Sequence, residues 1–209
     1  DQRQRVETSR AAAQQMGRTV GVMADLQGPK IRIGKFSAGP IALKAGQHFI
    51  LDAACALGDA TRVGLDYPEL VDDVTAGDVL LLDDGRTVFD VESIEGSEIH
   101  CRNRHDGELS NNKGINKQGG GLSAPALTPK DMADIKTAAA LKVDFVAVSF
   151  PKTGADMRQT RQLLHEAGSD ALVIAKIERV EAIDNLQDIL HATDGVMVAR
   201  GDLAVEVGD

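Results

Sequence analysis

Three apolar segments of one design, residues 143–149 (VDFVAVS), 172–178 (LVIAKIE) and 195–201 (GVMVARG), restrict this chain more than any other feature. Each is short, rich in Val, Ile or Ala, and closes on polar or charged residues, with helical patterns in between. Apolar runs of this length alternating with helices read as strands buried on both faces, and consecutive repeats give parallel βαβαβ with right-handed crossovers. Two helix starts are written into the connections: Thr128-Pro129 with Asp131, and Thr153 with Asp156, each forming a capping box. Further on, Val180, Ile183, Leu186, Ile189 and Leu190 recur at helical spacing, which predicts one helix with that face on the sheet.

Upstream, residues 4–15 read as a helix ended by Gly17, and residues 19–25 as a strand ending at Asp25 before the turn-prone Gly28-Pro29. From there to residue 143 the chain is far longer than one crossover requires. Residues 30–117 change character to short alternating segments at 41–43, 47–51, 78–82, 87–91 and 98–101, separated by Gly-containing turns. This pattern predicts a small inserted β-barrel-like domain, with Gly119, Gly120 and Gly121 as the return hinge. The expected plan is a main domain over 1–29 and 118–209, interrupted by the insert at 30–117. The expected fold class is α/β, a partial (β/α)8 barrel with about four parallel strands. A complete barrel takes about 250 residues, so the main domain reads as about half of one, the central segment of a longer protein stopping directly after its fourth strand. Such a half-barrel carries an unpaired sheet edge.

Charge and composition narrow the function. A net charge of -9 argues against a nucleic-acid partner, which needs a field of Lys and Arg. Aromatics make up only 3% of a chain that is 43% apolar, so the core is aliphatic, as parallel strands and covering helices require. Neither a membrane-spanning run nor an export signal is present in the sequence, so no membrane partner is expected. Cys55 and Cys101 lack metal-ligand spacing and read as separate thiols in a reducing compartment, the cytoplasm.

The chemistry gathers at strand ends. Lys176 and Glu178 are two apart on a strand and project to one side; Asp202 is expected at the matching end of the next strand. Two carboxylates beside a lysine, without His or Cys, suit a hard ion that keeps waters and accepts a phosphate, Mg2+ or Mn2+. On spacing alone, a set of solvated charges is the competing explanation. Arg200-Gly201-Asp202 also occurs in exposed adhesion loops, but here it ends an apolar strand. Residues 25–32 (DLQGPKIR) combine an acid, a rigid turn and two cations at the start of the insert; a charged linker would read the same, and Lys113 could be an ordinary surface lysine.

Six ordered motifs resemble one family: residues 25–32, 82–85 (LDDG), 112–116 (NKGIN), 122–127 (LSAPAL), 175–178 (AKIE) and 197–203 (MVARGDL). The chain resembles pyruvate kinase over essentially its whole length, and most of all the bacterial type II enzymes. The resemblance implies transfer of the phosphoryl group of phosphoenolpyruvate to ADP, giving pyruvate and ATP, the last step of glycolysis. It implies Glu178 and Asp202 as divalent-ion ligands, Lys176 as the residue stabilising charge on the phosphoryl group and enolate, and Gly201 on the substrate carboxylate. Arg32 and Lys113 match positions that handle nucleotide phosphates, and Asp83 or Asp84 lies on the face of a lid that closes over the nucleotide. Asp25, with the Leu26 carbonyl, matches a monovalent-cation ligand. Lys30 stands where potassium-dependent members commonly carry Glu, so weak or absent K+ dependence is expected. Ala204 departs from the family's usual Gly. The resemblance further implies a cytoplasmic homotetramer for the whole enzyme, and poor activity for this segment alone, because other family site residues lie outside it. A metal-dependent lyase or aldolase would share the carboxylate-lysine logic without needing the insert, and a non-catalytic metal- or nucleotide-binding product is the third reading.

Overall fold

The computed structural model describes residues 2–207. Helix α1 (Gln2–Gln15) stops where Gly17 takes φ +63°, and the Arg18 N–H donates to Ala13 O at 2.9 Å to close the end. Strand β1 (Met23–Asp25) is shorter than expected. Val22 still bonds to Asp144 through backbone and carboxylate, but Val20 is exposed and residues 19–22 have no ladder, so the apolar run overstates the strand.

Then follow β2 (Ile41–Leu43), β3 (His48–Asp52), β4 (Arg62–Val63), α2 (Leu70–Asp73), β5 (Val79–Leu82), β6 (Thr87–Glu95), β7 (Glu98–Asn103), β8 (Gly107–Leu109) and β9 (Ile115–Lys117). The chain continues with α3 (Pro129–Ala140), β10 (Phe145–Val148), α4 (Gly154–Glu166), β11 (Leu172–Ile177), α5 (Val180–Asp184), α6 (Leu186–Ala192), β12 (Gly195–Val198) and α7 (Arg200–Val207). It divides into two compact units. One comprises the residues up to Pro29 with Pro125–Ala199, the other Lys30–Ala124 with the stretch from Arg200.

The first unit is α/β, with a four-stranded parallel sheet in the order β1-β10-β11-β12. Val146, Ala147, Val148, Val173 and Ala175 are completely buried, as strands covered on both faces must be. Both capping boxes form, Thr128 with Asp131 at α3 and Thr153 with Asp156 at α4. The single helix expected after β11 is instead two, broken at Asn185. Only Ile189 of the five periodic residues is buried, while Ile183, Leu186 and Leu190 are exposed; the break rotates the second half so that the periodicity no longer defines one face. β12 ends at Val198, and Arg200, Gly201 and Asp202 open helix α7 rather than completing a strand. The chain therefore does not stop directly after the fourth strand.

The second unit is built on a six-stranded sheet, β4-β3-β7-β6-β5-β9, with β2 and β8 as a separate antiparallel ribbon. The named ladder runs from β4 to β9, and residues 32–36 bridge the chain beside both of its ends: Arg32 pairs with Gly114 next to β9, Ile33 with Leu65 just past β4, and Phe36 with Gly58. Alternation along the strands decides which side is core: β5 buries Leu80 and Leu82, β7 buries Ile99 and Cys101. Phe49 and Phe89, both fully buried, stack with ring centroids 5.4 Å apart at the centre. Past β9, Gly119, Gly120 and Gly121 all have positive φ, near +80°, +77° and +89°, which is why three glycines stand in a row.

Candidate active site

Parallel pairing lines up the C-terminal ends of β1, β10 and β11. Asp25 pairs with Ala147, and Val148 with Ala175, so Ser149 comes next to Lys176. Lys176 Nζ donates to Ser149 Oγ at 2.9 Å and lies 3.1 Å from Glu178 Oε1 and 3.2 Å from Asp25 Oδ1. Ser149 Oγ in turn donates to the Leu26 carbonyl at 2.7 Å. Glu178 is buried, and its Oε2 accepts the Phe150 N–H at 2.8 Å. Phe150 reaches that position with φ +55°, a conformation a bulky residue adopts only when its surroundings enforce it. Burial opposes the charged amine of Lys176, but Glu178 and then Asp25 outweigh it and hold the ammonium above the ordinary lysine range. It stays charged at neutral pH.

The turn after Leu26 is fixed from two sides. Gly28 has φ +65°, and a Cβ there would come within 2.9 Å of both Ser149 Cβ and Ser149 O. Its N–H donates to Asp131 Oδ1 at 3.2 Å; the same buried carboxylate accepts from Thr128 N–H at 2.9 Å. The cap of α3 thereby also anchors the loop beside Lys176.

A second cluster forms within the second unit around Gly114, which bridges Arg32 in antiparallel fashion. Arg32 Nη1 donates to the Asn112 carbonyl at 3.0 Å, and its N–H donates to Asp66 Oδ1 at 2.7 Å; burial raises the Asp66 carboxyl above its ordinary value despite that bond. Lys113 Nζ lies 2.8 Å from Asp83 Oδ1, and the Asp83 N–H donates to Gly114 O at 3.2 Å. Asp83 and Asp84 both have positive φ ahead of Gly85, and Asp84 is exposed. A Cβ on Gly114 would meet Lys30 Cε at 2.9 Å, and Lys30 Nζ bonds Asp202 Oδ1 at 2.9 Å. Gly201 sits exposed in α7, where a Cβ would meet only open space.

The structure thus brings Lys176, Glu178, Asp25 and Leu26 together in the first unit. In the second, Arg32, Lys113, Asp83 and Lys30 surround Gly114, and Lys30 holds Asp202. Ser149, Phe150, Asp66 and Gly114 were not predicted from the sequence. Ser149 had a usable signal, since it ends an apolar run next to the one carrying Lys176. Among the described residues no three His, Cys, Asp or Glu side chains form a metal cage. Glu178 and Asp25 in the first unit, and Asp202 in the second, each offer carboxylate oxygens, the donor type that a hard cation takes together with water.

The whole chain, residues 1–209, matches the family described as pyruvate kinase, barrel domain. A pyruvate kinase of Haemophilus influenzae is 52% identical over 98% of this chain and 44% of its own length. Pyruvate kinase II of Salmonella typhimurium is 50% identical over 100% of this chain and 45% of its own. The chain thus spans less than half the length of these relatives. A crystal structure of a pyruvate kinase from Cryptosporidium parvum superposes with a TM-score of 0.87 at 34% identity, covering 95% of this chain and 42% of that one. On the match along its full length and these identities, the chain belongs to the pyruvate kinase family.

Proposed function

We propose that this chain carries part of the machinery that transfers the phosphoryl group of phosphoenolpyruvate to ADP. In that reaction the P–O bond to the enol oxygen breaks, a P–O bond to the terminal phosphate of ADP forms, and the enolate takes a proton to give pyruvate. The observation that carries the reading is the half-buried, charged Lys176, held between Glu178 and Asp25 at the strand ends of a pyruvate kinase family chain. A fixed ammonium aimed at developing negative charge is worth most where water is excluded. Lys176 stabilises the transferring phosphoryl group and the enolate oxygen. Glu178 and Asp202 would hold the divalent ion, Mg2+ or Mn2+, which would supply positive charge against the phosphate and enolate. The Gly201 backbone contacts the substrate carboxylate, while Arg32 and Lys113 bind the nucleotide phosphates, with Asp83 and Asp84 on the same unit.

The parallel sheet is read as about half of a (β/α)8 barrel, and the 30–117 region as its lid. Asp25 and the Leu26 carbonyl are the monovalent-cation position. Lys30 stands where potassium-dependent members commonly carry Glu, and a positive side chain in place of that acid is the ground for weak or absent K+ dependence. The whole enzyme is read as a cytoplasmic homotetramer. No described helix is long and apolar enough to cross a membrane.

The test is a pyruvate-forming assay on the whole enzyme that carries this sequence, with phosphoenolpyruvate, ADP and Mg2+, run in K+ and in an inert monovalent cation. Pyruvate formation that needs ADP and Mg2+ and differs little between the two salts is expected. Absence of ADP-dependent pyruvate formation would contradict the function, and strong stimulation by K+ would contradict the role given to Lys30.

A further inference from the structure

The pairing of β3 with β7 sets two histidines side by side on one face of the second unit, and neither belongs to the Gly114 cluster. The register pairs His48 with Arg102 and Ile50 with His100, so His48 and His100 are diagonal neighbours on one face. His48 Nε2 and His100 Nδ1 face each other at 3.2 Å, with ring centroids 5.3 Å apart. Ring nitrogens at that separation share either a proton or a metal ion. Two nitrogens bound to one tetrahedral ion at about 2.0–2.1 Å stand about 3.3 Å apart.

The far nitrogen of His100 decides which lone pair is free. His100 Nε2 is buried, makes no hydrogen bond among the described residues, and lies 3.2 Å from Glu98 Oε2, off the line of a hydrogen bond. A carboxylate that close favours the ring proton on Nε2, which leaves the Nδ1 lone pair pointing at His48. Glu98 is itself fixed, because Arg62 Nη1 lies 2.7 Å from its Oε1 and 3.0 Å from Asp52 Oδ2. A carboxylate behind one ring nitrogen with the other left bare is how metal-ligating histidines are oriented. Exposed His48 needs only to carry its proton on Nδ1, an exchange with solvent that changes no net charge.

We propose that His48 and His100 form a two-histidine site for a borderline transition-metal ion of the Zn2+ or Ni2+ class. Water fills the remaining positions, and Glu98 fixes the His100 tautomer. The site differs in kind from the carboxylate ligands proposed for phosphoryl transfer, since imidazole selects Zn2+ or Ni2+ where carboxylates select Mg2+. It does not depend on the function proposed above.

The test is calorimetric titration of Ni2+ into this chain and its His48→Gln, His100→Gln and Glu98→Gln variants, all with Mg2+ in excess and folding checked by circular dichroism. The expected result is one saturable site that Mg2+ does not displace, lost in each histidine variant and weakened about 10-fold by Glu98→Gln. The proposal is overturned if no saturable binding is seen, if Mg2+ displaces the ion, or if His48→Gln, whose side chain is exposed and whose fold is therefore retained, binds within 2-fold of the parent.

Discussion

The two clusters of functional side chains are built by opposite means. In the first unit, Lys176, Glu178, Asp25 and Ser149 stand at the ends of parallel strands, and the ladder itself sets their spacing. In the second, Arg32, Lys113 and Asp83 hang on isolated bridges and a turn with successive positive φ angles, converging on Gly114. Strand ends in a buried sheet give precise, rigid placement, which suits charge stabilisation in a transition state. Turn-borne cations suit a ligand that must enter and leave. Positioning by packing against positioning by turn chemistry is thus the contrast that substitutions can break.

The largest effect is expected at the turn packed against Ser149 in the first cluster. Gly28→Ala forces a Cβ to 2.9 Å from Ser149 at φ +65°, so it should cost about 3 kcal/mol in urea unfolding, strain and overpacking together. Gly119→Ala meets nothing within 4 Å and should cost only about 1 kcal/mol, the left-handed conformation alone. Equal costs would break the contrast. Next, Lys113→Ala should raise the KM for ADP about 10-fold with kcat little changed, because a phosphate contact is lost in both ground and transition states; a collapse of kcat instead would place Lys113 with the reacting atoms.

The smallest effect concerns acid stability of the second unit. Burial works against ionisation of Asp52, but bonds from Ala54, Ser97 and Arg62 overcome it and hold the carboxyl below its ordinary value. A depressed carboxyl stabilises the fold above its unfolded pKa, and that contribution is lost as pH falls through the lower folded value. Asp52→Asn should therefore cost about 1 kcal/mol at pH 7, and less as pH falls through the lowered range of this carboxyl. A cost that persists in acid would mean that the bonds, not the charge, matter.

Much of the first unit was readable from the sequence because its signals are local. The apolar runs at β10, β11 and β12 and the Thr128 and Thr153 caps depend on neighbours within a few residues. Where tertiary packing decides, the reading failed: periodicity ran through Asn185 although the helix does not, and the run into Arg200-Gly201-Asp202 looked like strand but opens α7. β4, β8 and β9 went unseen because two or three residues carry no usable periodicity. Lys176 beside Glu178 was readable from strand spacing, whereas the Phe150 N–H on Glu178 arises from one residue's positive φ, which its side chain does not announce. The Lys30–Asp202 pair joins residues distant in sequence and could come only from the fold.

The central claim is that Lys176 stabilises charge formed during phosphoryl transfer. It is tested most directly by comparing kcat and both KM values for the parent and Lys176→Ala, in a polypeptide carrying this sequence, with phosphoenolpyruvate, ADP and Mg2+. The account predicts a kcat lower by about 10² to 10³-fold with the KM for ADP little changed. A variant that keeps the parent's kcat, or loses only affinity for ADP, would contradict it.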